Sequence, residues 1–120
     1  MAILRIEGDD LVLRLSRLEQ VGALHGDIRV ALSAVGDLQI SERPFGELRG
    51  IRAPGTGLPR RIALGTWRHR RGKDFAALYR GRPAIIVRLR DAPFQRLLVC
   101  SDDAEDCLTS IRARLAGAAA

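Results

Sequence analysis

The amino-acid sequence predicts a mainly β domain of the α+β class, in which a strongly bent antiparallel sheet or barrel of about seven strands is capped by one C-terminal amphipathic helix. Short segments that alternate apolar and polar residues recur between residues 2 and 101. Residues 102–115 instead place apolar side chains at helical spacing. A chain of 120 residues suffices for one hydrophobic core but not for two, so we expect a single domain over residues 1–120.

The first strands form a predicted hairpin. Residues 2–7 and 11–15 alternate apolar and polar side chains, and Gly8-Asp9-Asp10 between them is typical of a turn. The same alternation predicts strands at residues 28–30 and from about residue 35 to residue 42.

A short extra helix is predicted near residues 16–24. Ser16 and Glu19 have the spacing of a capping box, in which each side chain accepts a hydrogen bond from the other residue's backbone N–H. The apolar side of this helix is formed by three residues: Leu18, Val21 and Leu24.

Residues 43–60 are longer than most connections in a compact domain and are predicted to form a loop. Its apolar side chains, Phe45, Leu48 and Ile51, favour a loop that packs down onto the domain.

Part of this loop has the outline of a phosphate-binding P-loop, in the segment GIRAPGT at residues 50–56. That motif needs a lysine to reach the phosphates and a helix whose N-terminus faces them. Thr56 stands in the place of the lysine, and Pro59 interrupts any helix that could follow. We therefore interpret APGTG, residues 53–57, as a structural turn and not as a nucleotide site.

Four further strands and the helix complete the chain. Residues 62–67 and 75–80 predict a hairpin with the basic tip RHRRGKD at residues 68–74, and strands follow at residues 84–90 and 94–101. Asp102, with Glu105 three residues on, is the predicted cap of the final helix. Its apolar stripe consists of Ala104, Cys107, Leu108, Ile111 and Leu115.

Positive charge is concentrated in one part of the sequence. The chain has a formal net charge of +6, and residues 60–82 contain eight basic residues but a single acid, Asp74. These candidate anion-binding residues are Arg60, Arg61, Arg68, Arg70, Arg71, Lys73, Arg80 and Arg82. Nearly all basic residues of the chain are arginine, as codon bias in a GC-rich genome would also produce, but such a bias does not explain the clustering.

Nothing in the sequence predicts a metal site, a cofactor or a catalytic centre. Cys100 and Cys107 have neither CxxC spacing nor paired histidines, so we expect buried free thiols in a reducing compartment, although a disulfide stays open. His25 lies beside a glycine turn, and His69 lies among arginines, whose like charge favours the neutral ring. We therefore expect a protein that is not an enzyme.

The order of elements resembles the bacterial pleckstrin-homology-like (PH-like) domain proteins. The similar segments are residues 25–35, 48–67, 72–89 and 93–115. The resemblance implies a PH-like bent barrel of about seven strands with one C-terminal helix, and it implies no particular activity. The helix near residues 16–24 departs from that plan. Eukaryotic relatives carry a basic lipid-binding motif between their first two strands, whereas the turn at residues 8–10 is acidic, so lipid binding at that turn does not carry over.

Two kinds of function follow from these observations. The first is a non-enzymatic interaction module whose partner is another protein, bound by strand addition or helix docking. The alternative is electrostatic binding of an anionic surface, phospholipid or nucleic acid, through residues 60–82. The N-terminus lacks an apolar signal core, and no apolar stretch approaches about 18 residues, so a cytoplasmic protein without a transmembrane segment is expected. The sequence leaves open whether the protein is a monomer or a dimer.

Overall fold

The computed structural model describes residues 2–58 and 61–119, which form nine strands and two α-helices. Single turns of 3₁₀ helix lie at Leu32–Ala34 and Pro44–Glu47. In chain order the elements are β1 (Ile3–Glu7), β2 (Asp10–Arg14), α1 (Arg17–Ala23), β3 (Ile28–Ala31), β4 (Val35–Ser41), β5 (Ile51–Leu58), β6 (Ile62–His69), β7 (Gly72–Tyr79), β8 (Ala84–Leu89), β9 (Arg96–Cys100) and α2 (Ala104–Ala119).

The described strands form two sheets, with the orders β1-β2-β3 and β4-β8-β9-β7-β6-β5. The predicted mainly β architecture with a C-terminal helix is confirmed. The larger sheet is open, with β4 and β5 at its edges, so the described strands do not close into a barrel.

One pairing corrects the expectation of a wholly antiparallel sheet. β9 lies between β7 and β8, antiparallel to β8 but parallel to β7. Every residue of β9 is buried, and a strand that is buried on both faces is most stable in the middle of a sheet. The central place is therefore occupied by the last strand in the sequence and not by its neighbour β8.

The main hydrophobic core lies between the two sheets and is completed by α2. Ala104, Leu108 and Ile111 of the predicted stripe are buried there, and Cys107 and Leu115 are partly buried against it. The helix contacts β4 of one sheet and β1 of the other. α2 begins at Ala104, one residue later than predicted, because the Asp103 carbonyl accepts the first helical hydrogen bond from Cys107 N at 3.0 Å. Asp102 instead pairs with Arg82.

A smaller core covers the opposite face of the larger sheet. Trp67, Ile86, Leu98 and other side chains of β6 to β9 form it. Phe45 and Leu48 pack on this cluster, as the sequence predicts for that part of the loop. The segment that contains Phe45 and Leu48 therefore covers this face of the larger sheet.

α1 turns its apolar side to solvent. Leu18, Val21 and Leu24 are 85%, 71% and 68% exposed, whereas Glu19 and Ala23 are buried. The predicted capping box is present, with Ser16 N donating to Glu19 at 2.9 Å and Glu19 N donating to Ser16 Oγ at 3.2 Å.

Polar contacts set this orientation of α1. Glu19 also accepts a 2.5 Å hydrogen bond from the Tyr79 hydroxyl, and Thr56 Oγ1 donates to the Gly22 carbonyl at 2.6 Å. Both contacts hold the polar side of the helix against the larger sheet. They outweigh the usual tendency of a helix to pack its apolar residues toward the core.

The predicted loop over residues 43–60 is wrong in its second half. Residues 51–58 are the edge strand β5, so APGTG belongs to a strand and is not a turn. The register with β6 shifts between Arg52 and Gly55, which places Pro54 in an irregular part of an edge strand, where the missing N–H is tolerated. Gly55 has φ of +149°, and a Cβ there would overlap the Leu64 carbonyl, so glycine is required. The P-loop interpretation stays rejected, because within the described residues the segment continues as a strand and not as a helix.

Candidate functional site

The eight basic residues of the sequence cluster do not form one patch. β6 and β7 pair from Ile62 opposite Tyr79 to His69 opposite Gly72, so the hairpin is about 23 Å long. Arg68, Arg70, Arg71 and Lys73 lie at the turn, and we call these four residues the basic tip. Three others flank the far end of the hairpin, namely Arg61, Arg80 and Arg82. Arg60 lies outside the described residues.

The turn itself is shorter than the sequence suggests. β6 runs to His69 and β7 begins at Gly72, so only Arg70 and Arg71 connect the strands, and both are exposed. Lys73 and Asp74 belong to β7. The Gln95 amide donates to the Arg71 carbonyl and thereby attaches the turn to the segment before β9.

Asp74, the only acid of the cluster, is 1% exposed and is enclosed by cations. Arg49 donates to its two oxygens at 2.7 and 3.1 Å, and Arg96 donates at 2.9 and 3.1 Å. His69 Nε2 lies 3.2 Å from the same carboxylate. We call Asp74, Arg49, Arg96 and His69 the Asp74 network. The negative charge of Asp74 is therefore directed toward these partners and is not exposed at the surface of the tip.

The network also keeps Asp74 ionised. Burial alone would raise the pKa of Asp74, but the hydrogen bonds from Arg49, Arg96 and His69 outweigh it and hold the pKa below its ordinary value. Arg96 further donates to the Glu47 carbonyl at 2.6 Å. The carboxylate therefore fixes both the edge of the basic tip and the segment that covers the smaller core.

His69 and Asp74 form a hydrogen-bonded pair that their spacing in the sequence does not predict. His69 Nδ1 accepts the backbone N–H of Arg71 at 3.2 Å, so Nε2 carries the hydrogen that is donated to Asp74. Both ring nitrogens are thus engaged within the protein, which leaves neither available as a general base. This geometry is that of a structural anchor.

Three cations of the basic tip lie at its surface and are not paired with an acid of the described ranges. Within the described part of the chain, no carboxylate pairs with Arg70, Arg71 or Lys73. Lys73 Nζ instead lies 4.9 Å from the centre of the Phe94 ring, whose face attracts a cation.

An exposed apolar residue accompanies these cations. Ile51, at the start of β5, pairs in register with Arg68 and is 76% exposed, so the prediction that it packs onto the domain with Phe45 and Leu48 is wrong. It lines an open hollow of about 650 Å³ together with Arg49, Gly50 and residues of the turn. Arg49 and Ile51 are not recognisable from the sequence as neighbours of the tip, because strand pairing across the predicted loop brings them there.

The aromatic side chains near the cluster are not available for stacking. Trp67 and Phe75 are buried on opposite faces of the larger sheet, and the Tyr79 hydroxyl is bound to Glu19. Phe94 is buried beside Phe75, with the His25 ring 5.6 Å from it. Both Phe75 and Trp67 are therefore core residues and not a stacking surface.

The cysteines and acids offer no further chemistry in the described residues. Cys100 is buried and Cys107 is half-buried, both as free thiols. Burial raises the pKa of Cys107 to about 11 and also raises that of Cys100, so neither is a reactive thiolate at neutral pH. No group of His, Cys, Asp and Glu with the geometry of a metal site occurs in residues 2–58 and 61–119.

Comparisons with protein families, with curated proteins and with solved structures find no match to this chain. Neither α1 nor α2, the helices of the described ranges, has the length and apolar character needed to span a membrane.

Proposed function

We propose that this protein is a non-enzymatic binding module that attaches reversibly to anionic phospholipid surfaces through the basic tip. The observation that carries the proposal is the burial of Asp74 within its own network, so that no carboxylate among the described residues pairs with Arg70, Arg71 or Lys73. Ile51 adds an exposed apolar side chain to the same end of the sheet. Cations around an apolar residue are typical of surfaces that lie on a membrane.

A phospholipid surface fits this end of the molecule better than nucleic acid does. Proteins that bind single strands stack bases on exposed aromatic rings, and the rings near the tip are buried. A membrane needs no stacking, since it offers a plane of negative charge and an apolar layer below it. Ile51 would enter that layer while the arginines stay among the headgroups.

The expected affinity is low. Each basic residue close to an anionic membrane contributes about 1 kcal/mol, and the attraction fades over a Debye length of about 8 Å at physiological salt. Four residues in the basic tip give about 4 kcal/mol, and burial of Ile51 adds about 1.5 kcal/mol. Such a total supports weak, salt-sensitive attachment and not permanent anchoring.

The fold-level part of the proposal is a PH-like module. A mainly β domain with a C-terminal helix supports it, whereas the parallel pairing of β7 with β9 departs from a wholly antiparallel barrel. The protein partner that the sequence also predicts stays a prediction.

The test is co-sedimentation with phosphatidylcholine vesicles that contain either no phosphatidylglycerol or about 30% of it, at about 25 and 150 mM salt. We expect binding only to the anionic vesicles and weaker binding at the higher salt. Arg70→Gln/Arg71→Gln should bind about 30-fold more weakly, as two lost contacts of about 1 kcal/mol each imply.

Arg17→Gln/Arg61→Gln is the matched control, because it removes the same charge from exposed positions away from the tip. An equal loss in both variants would show that net charge and not the basic tip is responsible, and absence of binding at the lower salt would refute the proposal. Tip-dependent binding of a single-stranded oligonucleotide that exceeds vesicle binding would replace the membrane by nucleic acid.

A further inference from the structure

A second concave surface lies at the far end of the β6–β7 hairpin. It is a cleft of about 830 Å³ between residues 42–48 and residues 79–83. Clefts of about 300–1,000 Å³ are the size that small organic ligands occupy. Because it lies at the other end of β7 from the basic tip, this cleft is independent of the proposed membrane surface.

The floor of this cleft is apolar. Phe45, Leu48 and Tyr79 line it and are only partly buried where they pack on the smaller core. The Tyr79 hydroxyl is bound to Glu19 and is therefore not available to a ligand in the cleft. The floor therefore offers apolar and aromatic contact to a flat or extended ligand body.

The rim of the cleft is basic. Arg43, Arg80 and Arg82 line it, together with the single acid Glu42. Arg82 is paired with Asp102, outside the cleft lining. Within the described part of the chain, no ion pair engages the side chains of Arg43 or Arg80. When the negative charge of Glu42 is set against the positive charges of Arg43 and Arg80, the rim keeps one positive charge. A ligand with a single negative charge would neutralise it.

We propose that this cleft binds a small amphipathic monoanion, with a carboxylate or sulfonate head and an apolar body. The head would accept hydrogen bonds from the guanidinium groups of Arg43 and Arg80, which suit a planar carboxylate. The body would cover Phe45 and Leu48, which removes apolar surface from water. Glu42 at the rim disfavours a dianion, so a phosphate monoester is a poorer ligand than a carboxylate.

The first test uses a fluorescent probe of this chemistry, 8-anilinonaphthalene-1-sulfonate, and its uncharged analogue N-phenyl-1-naphthylamine. We expect saturable binding of the sulfonate with one site per chain, at least about ten-fold tighter than that of the neutral analogue, since a charge-assisted hydrogen bond is lost. Dodecanoate should displace the probe. Equal affinity for the charged and uncharged probes, or no saturable binding, would overturn the proposal.

Substitutions at the cleft test whether the probe binds there. Arg43→Gln/Arg80→Gln should weaken sulfonate binding about ten-fold or more and leave the neutral analogue unchanged. Arg17→Gln/Arg90→Gln, with the same loss of charge at exposed positions outside the cleft lining, should bind the probe like the wild type. Equal effects in both variants would refute the cleft as the site. Thermal unfolding of each variant shows whether the fold is intact.

A residue-level readout separates this cleft from the exposed apolar side of α1, which could also attract the probe. Gly46 and Gly81 line the cleft, and glycine amides are well separated in amide correlation spectra. Dodecanoate should shift the amide signals of these two glycines and leave those of Gly22 and Gly26 near α1 unchanged. Shifts confined to α1 and its neighbours would overturn the proposal.

Discussion

At the scale of single residues, the Asp74 network most directly links stability to the proposed surface. Arg96 is buried and has its charge compensated mainly by Asp74, with a more distant contact to Glu47 at 3.5 Å. A buried ion pair is weak evidence for stability as a whole, but removal of one partner leaves an uncompensated charge in the interior. Asp74 is therefore the residue whose loss should have the largest electrostatic cost.

Asp74→Asn should lower the free energy of unfolding at pH 7 by about 3 kcal/mol, because Arg96 and Arg49 then lose their carboxylate. Urea denaturation measures this change. Asp37→Asn is the control, since Asp37 meets Arg88 at 3.3 Å on the surface, and such pairs contribute less than about 1 kcal/mol. Similar costs for the two variants would show that the Asp74 network is not a buried charge cluster.

The same residue predicts a dependence on pH. The pKa of Asp74 in the folded protein lies below that of an unfolded chain, which is about 3.9. Its contribution is therefore complete above about pH 4 and is lost as the pH falls through the folded-state value. The stability difference between the wild type and Asp74→Asn should shrink as urea denaturation is carried from pH 6 toward pH 2.5. A constant difference over that range would contradict the lowered pKa.

At the scale of elements, the two helices use their apolar residues in opposite ways. α2 buries Leu108 and Ile111 between the sheets, whereas α1 exposes Val21. Leu108→Ala and Ile111→Ala should each destabilise the protein by about 2–4 kcal/mol, the range for buried large-to-small changes. Val21→Ser should change stability by less than about 1 kcal/mol, since little packing is lost there. Thermal or urea unfolding tests all three variants. A small loss of stability in the α2 variants, or a large loss in Val21→Ser, would contradict these orientations.

β5 provides a second prediction at this scale. Thr56 belongs to an edge strand and donates one hydrogen bond to the Gly22 carbonyl of α1. Thr56→Ala should leave the fold intact and cost about 1 kcal/mol, the usual contribution of one hydrogen bond. ATP and GTP should give no thermal shift with either protein. A nucleotide shift at micromolar concentrations that disappears in the variant would restore the P-loop interpretation.

At the scale of the whole molecule, the position of β9 predicts where the fold is most resistant to opening. β9 has a strand on each side and is buried throughout, while β5 is an edge strand. Amide hydrogens of β9 should exchange most slowly and those of β5 markedly faster, because global opening governs the centre and local opening governs the edge. Hydrogen exchange followed by mass spectrometry or NMR measures the order. Fast exchange in β9 would contradict its central position.

Only some features of the candidate site can be predicted from local sequence. The clustering of basic residues in residues 60–82 and the burial of Phe75 follow from charge and alternation alone. The division of that cluster between two ends of a hairpin follows from strand length, which the prediction underestimated on both sides of the turn. The inward direction of Asp74 depends on Arg49 and Arg96, which are distant in sequence and meet it only through the folded sheet.

By itself the sequence determined the mainly β class, the capped short helix, the C-terminal helix with its buried stripe, and the surplus of positive charge. These features depend on spacing along the chain and on local hydrogen bonds, so neighbouring residues suffice to specify them. Only the tertiary structure decided the insertion of β9 between β7 and β8, the strand at residues 51–58, the outward apolar side of α1 and the enclosure of Asp74. Each of those depends on partners far apart in the chain, because a strand's neighbours and a carboxylate's cations are selected by burial in the assembled core and not by local propensity.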